Sequence, residues 1–447
     1  MNIPYCSCLL HYSMHGGWLA ARGRPPPPLS LLLVLSLIER RVVPAAVASA
    51  GVIPTRHRRT TMAVSRQLVP VLALAQQLLP AAAAVAPWQM YGRGPHHSRE
   101  QPELLALPTN ASGWVAKTAG WVYGAPCVDS NETVYFSSWD GHLYAVHADG
   151  RPKWRHRVGG AGIAGQIWSS PALAADEGTI YVGANNSLQA IDTRGSAPVL
   201  RWAVRTNDAI FASPTVAADG VIYIGDLNGA MRSVDANGTV LWTHKTIAPI
   251  YASAAVSDAA VYFSTLLDGR MIALSRQDGQ LLWSKGHDLA PVPSSPALSS
   301  HDASVVYSAS SDGQLRAYRA ADGSIAWVGR VGPVDGSSPA VSVRDGTIYI
   351  GCLDNQLYAI SPHDGTVKWK FRADSMIQAS PAIGGSGVIY VNSYSSSMYA
   401  IEVETGEARW MAKLGASSFS SPALGRKGVY VGANHGLVKG GLHAFLG

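Results

Sequence analysis

Charged side chains are scarce in this chain of 447 residues, and so are cysteines. Asp, Glu, Lys and Arg together make up 14% of the residues. Two of the four cysteines, Cys6 and Cys8, lie close to the N-terminus. The other two, Cys127 and Cys352, cannot form a disulfide framework. We therefore expect two small buried thiols that lie too far apart to form a bond.

The positive net charge of +6 does not indicate nucleic-acid binding. Residues 1–86 contain eight arginines, no lysine and a single acid, Glu39, so the rest of the chain is close to neutral. A nucleic-acid partner would require a basic face on the folded domain. We expect none.

Common catalytic motifs are missing from residues 87–447, which contain no Gly-x-Ser-x-Gly, His-Glu-x-x-His, P-loop or paired Cys-x-x-Cys pattern. No helical period is evident there either. His96 and His97 could bind a metal, but an exposed polar lead-in is the simpler interpretation. We predict no catalytic residue and no metal site.

The first 86 residues differ from the rest and are interpreted as a leader. The apolar run within 24–41 has about eight residues, too few for the ~20 that span a bilayer. The segment 62–86 begins at Met62 with one positive charge, Arg66, followed by an apolar stretch and small residues, as in a secretory signal peptide. Met62 is thus a candidate start and 1–61 an upstream extension. An organelle transit peptide is the alternative.

Four N-glycosylation sequons agree with a secreted or lumenal location. They begin at Asn110, Asn131, Asn185 and Asn237. We expect no transmembrane span in the mature chain, which we also expect to be a monomer.

Two sequence markers repeat with a shared period of about 42 residues, which is typical of a propeller or a helical solenoid. The first is a tryptophan that ends a strand-like run: Trp114, Trp154, Trp202, Trp242, Trp283, Trp327, Trp369 and Trp410. The second is a Ser-Pro or its substitute, at Pro126, Pro171, Pro214, Ala254, Pro296, Pro339, Pro381 and Pro422. These tryptophans are predicted to be structural, filling the space between neighbouring blades.

Strand and turn signals select the propeller. Alternating runs such as "TIYIG" at 347–351 are followed by Asp-Gly or Asn-Gly turns, which suit two-residue hairpins. The sequence predicts an all-β, eight-bladed propeller of four-stranded antiparallel blades over 112–447, preceded by a lead-in at 87–111. The last repeat has three strands, so the strand that carries Trp114 should complete the C-terminal blade and close the ring.

Aromatic residues are unevenly distributed at one position of the repeat, three residues before the proline marker. Five consecutive blades would place a crescent of rings at one side of the channel mouth: Tyr123, Trp168, Phe211, Tyr251 and Phe419. The opposite side has Pro293, Gly336 and Gln378, with Asp335 beside them. Such a mouth suits a sugar ring or an apolar peptide side chain. The alternative is that these rings plug the channel or pack against the next blade.

The repeat resembles the pyrroloquinoline-quinone-like β-propeller family. Ala359, Gly365 and Trp369 have the spacing of its tryptophan-docking motif, Ala-x-Asp-x-x-x-Gly-x-x-x-Trp, although the motif's Asp is Ser361 here. The stretch "PWQMYGRGPHHS" at 87–98 is similar to the family's usual lead-in. The resemblance covers about 87–447, and its implications for function remain open because one fold hosts many activities.

The resemblance implies two functional possibilities. Quinoprotein dehydrogenases of this family oxidise alcohols or sugars with the quinone and Ca²⁺, and many have adjacent cysteines or a haem motif, which this chain lacks. The non-catalytic branch includes the propeller lipoprotein of the outer-membrane β-barrel assembly machine. The near-minimal repeats look more like that branch, although a lipobox cysteine is missing. We therefore expect a scaffold without cofactor that binds a protein, peptide or glycan. A reduced quinone-dependent oxidoreductase is the alternative.

Overall fold

The computed structural model describes residues 88–101, 107–108, 113–159, 165–286, 290–299, 303–436 and 439–447. This part of the chain forms 33 β-strands and no α-helix, in agreement with the missing helical period. The strands make eight sheets, each with four antiparallel strands, that follow one another along the chain as the blades of a propeller. No helix of the described residues could span a membrane. The leader lies outside the described residues.

Blades 1 to 4 each comprise four consecutive strands, ordered from the channel outwards. Blade 1 contains β3 (Cys127–Val128), β4 (Val134–Ser137), β5 (His142–Val146) and β6 (Pro152–Arg157). Blade 2 contains β7 (Ala172–Leu173), β8 (Thr179–Ala184), β9 (Ser187–Asp192) and β10 (Val199–Arg205). Blade 3 contains β11 (Thr215–Val216), β12 (Ile222–Gly225), β13 (Ala230–Val234) and β14 (Val240–Lys245). Blade 4 contains β15 (Ala255–Val256), β16 (Ala260–Ser264), β17 (Arg270–Ser275) and β18 (Leu281–Gly286).

Blades 5 to 8 follow the same plan, with strands from the N-terminal segment added to the last two. Blade 5 contains β19 (Ala297–Leu298), β20 (Val305–Ser310), β21 (Gln314–Arg319) and β22 (Ile325–Arg330). Blade 6 contains β23 (Ala340–Val341), β24 (Ile348–Gly351), β25 (Gln356–Ile360) and β26 (Val367–Arg372). Blade 7 contains β27 (Ala382–Gly384), β28 (Val388–Asn392), β29 (Ser397–Glu402) and β30 (Ala408–Lys413), joined by β1 (Glu100–Gln101). Blade 8 contains β31 (Ala423–Leu424), β32 (Gly428–His435), β33 (Lys439–Leu446) and β2 (Trp114–Thr118).

The predicted closure of the ring is confirmed. Strand β2 is the outermost strand of blade 8 and pairs antiparallel with β33, with Trp114 opposite Ala444 and Thr118 opposite Gly440. The last blade is therefore built from both ends of the described chain. All four of its strands are paired within one sheet, so the seam leaves no strand without a neighbour.

The lead-in covers the inner edges of the blades. Strand β1 pairs in parallel with β27, and Glu100 lies opposite Ile383. Backbone N–H groups of the innermost strands donate to lead-in carbonyls in order around the ring: Val128 to Trp88, Leu173 to Gln89, Val256 to Pro95, Leu298 to His96, Val341 to Ser98 and Ile383 to Arg99. The segment thus follows the wall of the channel past blades 1, 2, 4, 5, 6 and 7.

The hydrophobic core lies between neighbouring blades. One cluster joins Tyr349 and Leu357 of blade 6 to Ile389 and Val391 of blade 7, all of them buried. Alternating residues of the middle strands face the two adjacent blades, because side chains in a strand point to opposite faces in turn. Each blade is therefore held from both sides, and the loops at the channel mouth rest on a rigid ring.

Candidate functional site

A cavity of about 110 Å³ opens at one end of the central channel. Its walls come from the segments that lead into the innermost strands, one from each blade. The five rings predicted from the repeat position all line it: Tyr123, Trp168, Phe211, Tyr251 and Phe419. Each ring is partly exposed. A small molecule or a side chain of a partner could therefore reach these rings.

The five rings form a continuous arc. The ring centroids of Phe419 and Tyr123 are 5.3 Å apart and those of Tyr123 and Trp168 are 4.9 Å apart. Trp168 stacks on Phe211 at 4.5 Å, and Phe211 meets Tyr251 edge-on at 4.9 Å. These separations lie within the range of favourable aromatic pairs. We call the five residues the aromatic crescent.

Three further rings, which the sequence analysis did not single out, extend the aromatic crescent. Trp139 lies 4.4 Å from Trp168 between ring centroids and stacks on Trp121 at 4.5 Å. Tyr394 lies 5.2 Å from Phe419 at the other end. Trp139 and Tyr394 occupy the turns between the second and third strands of blades 1 and 7. A comparison of those turns across the repeats would have found them.

The side of the cavity opposite the aromatic crescent is polar. Asp335 and Gln378 both line it, and each is buried, with 6% of its surface exposed. The side-chain amide of Gln378 donates to Asp335 Oδ2 at 3.1 Å. Pro293 and Gly336 complete this side of the wall. The structure therefore brings together all the residues that the sequence predicted for the binding mouth.

Below the rings, a circle of serines connects the blades. In seven places a serine hydroxyl oxygen accepts the backbone N–H of the equivalent residue in the preceding blade, at 2.8–3.0 Å. The circle consists of Ser170, Ser213, Ser253, Ser295, Ser338, Ser380 and Ser421. Blade 1 has Ala125 at this position. The repeated Ser-Pro marker thus supplies a blade-to-blade hydrogen bond.

Tyr91 of the lead-in forms the floor of the cavity. Its hydroxyl is hydrogen-bonded to the hydroxyls of Ser338 at 2.9 Å and Ser380 at 3.1 Å. The guanidinium carbon of Arg99 lies 4.1 Å from the centroid of the Tyr91 ring. Burial raises the pKa of the phenol, but Arg99 and hydrogen bonds to Ser338, Ser380 and Ser295 outweigh it, so the pKa of Tyr91 lies below its usual value.

The expectation that His96 and His97 form an exposed pair is wrong for His97. His96 is exposed, but His97 is fully buried, and its Nδ1 donates to the carbonyl oxygen of Pro296 at 2.9 Å. Burial and the nearby Arg99 lower the pKa of His97 to about 3. The local sequence looked polar, but the lead-in runs through the channel rather than over the surface.

The eight repeat tryptophans lie on the outermost strands of the blades. The indole N–H of six of them donates to a carbonyl of the next blade at 2.8–3.0 Å: Trp114 to Ala148, Trp202 to Ala236, Trp242 to Arg276, Trp283 to Ala320, Trp327 to Pro362 and Trp369 to Val403. Trp154 contacts Tyr135 within its own blade, and Trp410 contacts Phe445 of blade 8. Their contribution to stability stays a prediction.

The predicted glycosylation sites lie in turns where the structure describes them. Asn131 and Asn237 are exposed, and Asn185 is partly exposed. Asn110 lies outside the described residues. Use of these sequons stays a prediction.

The described residues do not fit a calcium and quinone centre. No group of three or more His, Cys, Asp or Glu side chains among them could hold a metal ion. Ca²⁺ takes six to eight oxygen ligands, often from several carboxylates, whereas Asp335 is the one carboxylate lining this cavity and is hydrogen-bonded to Gln378.

Cys127 and Cys352 are free and buried, in blade 1 and at the end of β24 in blade 6.

These features define a closed eight-bladed propeller with an aromatic cavity on its axis. The family model described as outer membrane protein assembly factor BamB matches residues 96–285, 199–338 and 311–445. The chain belongs to this family of PQQ-type repeat propellers. No curated protein sequence matches it significantly.

Solved structures with the same fold include BamB and quinohemoprotein alcohol dehydrogenases. BamB from Moraxella catarrhalis is 17% identical with a TM-score of 0.58, over 74% of this chain and 100% of that one. The quinohemoprotein alcohol dehydrogenase ADHIIG from Pseudomonas putida is 14% identical with a TM-score of 0.68, over 80% of each chain. The quinohemoprotein alcohol dehydrogenase from Comamonas testosteroni is 13% identical with a TM-score of 0.66, over 82% and 81%. At these identities the likeness extends to the fold alone.

Proposed function

We propose that this propeller is a binding scaffold that holds a protein, peptide or glycan partner at the mouth of its central channel. The observation that carries the proposal is the aromatic crescent, a continuous arc of partly exposed rings that lines one side of a concave cavity. Aromatic anchors in pockets dominate the energy of many binding interfaces. Carbohydrate rings and apolar side chains are the groups that such a surface suits best.

The rigidity of the mouth supports this role. Each ring precedes an innermost strand, and the serine circle ties those strands to one another below the rings. A preorganised site loses less conformational freedom when it binds. The name of the family, an outer membrane protein assembly factor, agrees with a protein partner.

A quinone-dependent oxidoreductase of reduced form is the less favoured candidate. The fold is shared with alcohol dehydrogenases, but the described residues do not fit the calcium and quinone centre. Adding the quinone and Ca²⁺ to purified protein, followed by dye-reduction assays with alcohols and sugars, would reveal this activity. We expect no dye reduction.

The scaffold is proposed to work in the secretory pathway, outside the cytoplasm. The apolar segment 62–86 has the layout of a signal peptide. Asn131 and Asn237 lie in exposed turns, where glycosylation would not disturb the blades. The partner is therefore sought among secreted or lumenal proteins and their glycans.

The test is the double substitution Trp168→Ala with Phe211→Ala. These rings stack at 4.5 Å and both line the cavity. We expect ligands identified on glycan and peptide arrays to bind about 30- to 1,000-fold more weakly, the effect of losing ~2–4 kcal/mol at a hot spot. Leu241→Ala, on the outermost strand of blade 3, is the control because its side chain is exposed and far from the mouth.

The same variants separate binding from packing. Surface truncations usually change stability little, so the double variant should melt close to the wild type. If the crescent only fills space between blades, the melting temperature will fall sharply. Binding of the ligands found on the arrays will then decrease in proportion to the loss of folded protein. That result would contradict the proposed role of the rings.

A further inference from the structure

We propose that the floor of the axial cavity is an anion site, which binds a carboxylate or similar oxyanion at the deep end of the ligand. This inference rests on the proposed binding role of the cavity and names the chemistry of one end of the ligand. Two independent observations support it: a set of serine hydroxyls whose protons are available to the cavity, and a buried arginine without a carboxylate partner.

The serine donors lie directly below the aromatic crescent. Ser170, Ser213, Ser253 and Ser421 line the cavity, and each hydroxyl oxygen already accepts a backbone N–H from the preceding blade. Accepting a hydrogen bond polarises a hydroxyl and makes it a better donor. Within the described ranges, none of these four hydroxyls donates to a protein acceptor. Their protons can therefore be directed to a bound oxyanion.

Arg99 adds a positive charge immediately behind the floor. Its side chain is fully buried, and its guanidinium carbon lies 4.1 Å from the centroid of Tyr91, the floor residue. The Nε and Nη2 atoms have no hydrogen-bond partner among the described residues. These two nitrogens form the edge of a guanidinium that binds carboxylates in a bidentate manner.

The charge of Arg99 is not compensated by an acidic residue. Arg99 takes part in none of the ion pairs found in the described part of the chain. The phenol of Tyr91 is the one ionisable group that favours the cationic form of Arg99. Burying a guanidinium without a carboxylate is costly. The remaining positive potential makes the floor favourable for a negative group.

The distribution of charge also sets the orientation of the ligand. Asp335 lies on the wall opposite the crescent and engages Gln378. Its carboxylate would repel an anion at that side and attract a cation. The serine donors and Arg99 have the reverse preference at the floor. A ligand with an apolar body along the crescent and an anionic end against the serines satisfies both surfaces.

Three small probes with the same ring test the inference: phenylacetate, 2-phenylethanol and phenethylammonium. Calorimetry and tryptophan fluorescence on the whole protein at neutral pH measure their binding. We expect phenylacetate to bind at least tenfold more tightly than 2-phenylethanol and phenethylammonium to bind most weakly. Raising the salt concentration should weaken phenylacetate more than the neutral alcohol, because salt screens charge.

Serine variants connect the preference to the floor. Ser170→Ala with Ser213→Ala should weaken phenylacetate about tenfold and leave 2-phenylethanol within about twofold. Alanine is compatible with this position, since Ala125 occupies it in blade 1. The control is Ser169→Ala, which removes a buried hydroxyl from the same strand entry that is bonded to Ser170 O instead of lining the cavity.

Each outcome is decisive. Equal binding of the acid and the alcohol, or tighter binding of the amine, would overturn the anion site and leave the cavity's binding role intact. An equal decrease in affinity for phenylacetate and for 2-phenylethanol in the serine variants would also overturn the anion site. Failure of all three probes to bind would contradict the binding role of the crescent and the anion site together.

Discussion

Replacing Trp283 with alanine should destabilise the contact between blades 4 and 5. Trp283 is 6% exposed, and its indole N–H donates to the carbonyl oxygen of Ala320 in blade 5 at 2.9 Å. Its ring lies 5.9 Å from Tyr262 and 6.0 Å from Tyr318 between centroids. Truncation leaves a cavity and removes the shorter of the two hydrogen bonds to that carbonyl, the other coming from the Tyr262 hydroxyl at 3.5 Å. We expect the free energy of unfolding to fall by about 3–5 kcal/mol.

Gly323 provides a second perturbation of the same contact. Its φ is +68°, and a Cβ built on it would lie 2.6 Å from the Trp283 ring. Gly323→Ala therefore introduces both a strained backbone, worth about 1–2 kcal/mol, and a steric clash. The clash with the ring disappears when Trp283 is also alanine, and the remaining close atom, Lys285 Cε at 2.9 Å, belongs to a flexible side chain. The double variant should consequently be more stable than the sum of the single effects predicts, by at least about 1 kcal/mol.

Urea unfolding followed by circular dichroism measures these effects. Leu282→Ala is the matched control, because it truncates a half-exposed side chain in the same strand and should cost less than about 0.5 kcal/mol. If Trp283→Ala costs no more than this control, the tryptophan does not dock the blades. Strict additivity of Trp283→Ala and Gly323→Ala would show that the glycine is not packed under the ring.

Three further predictions concern pH and processing. Lowering the pH below about 6.5 should reduce the free energy of unfolding by up to about 1.4 kcal/mol per pH unit, because His97 takes up a proton in the unfolded chain near pH 6.5 but in the folded protein only at about 3. In urea titrations His97→Gln should flatten this pH dependence of stability. An unchanged pH dependence in the variant would contradict the role of His97. Mass spectrometry of native protein should find an N-terminus near Pro87 and no peptide from 1–61, so a peptide from that range would refute the start at Met62. Treatment with a peptide N-glycosidase should convert Asn131 and Asn237 to aspartate, whereas unmodified asparagine at both sites would count against transit through the secretory pathway.

The blade count and the ring closure could be predicted because their signals are local and recur eight times. Most copies present Asp-Gly or Asn-Gly turns and a tryptophan at the same spacing, so an irregular copy can be aligned with the help of the others. The last repeat has three strands, and the strand that carries Trp114 has no repeat of its own. Every strand is paired when the Trp114 strand completes the last blade. The structure bears out this arrangement, with Trp114 opposite Ala444.

The aromatic crescent could be located for the same reason, whereas the floor could not. Tyr91 and Arg99 belong to the lead-in, which has no repeat to compare with. Tyr91 meets Ser338 across 247 residues of sequence, a contact that no local pattern specifies. The burial of His97 was missed for the same physical reason, because its surroundings come from the channel wall.

Ring closure links the completion of the propeller to the synthesis of β33. Strand β2 is made about 330 residues before its partner β33, so at ~5–20 residues per second it waits about 15–65 s on the ribosome. Throughout that interval β2 and the edge of the newest blade have unpaired backbone groups, which can pair with other chains. A chain that stops before Lys439 keeps β2 without its partner. The same seam that protects the finished propeller therefore leaves its nascent chain exposed to such pairing until β33 emerges.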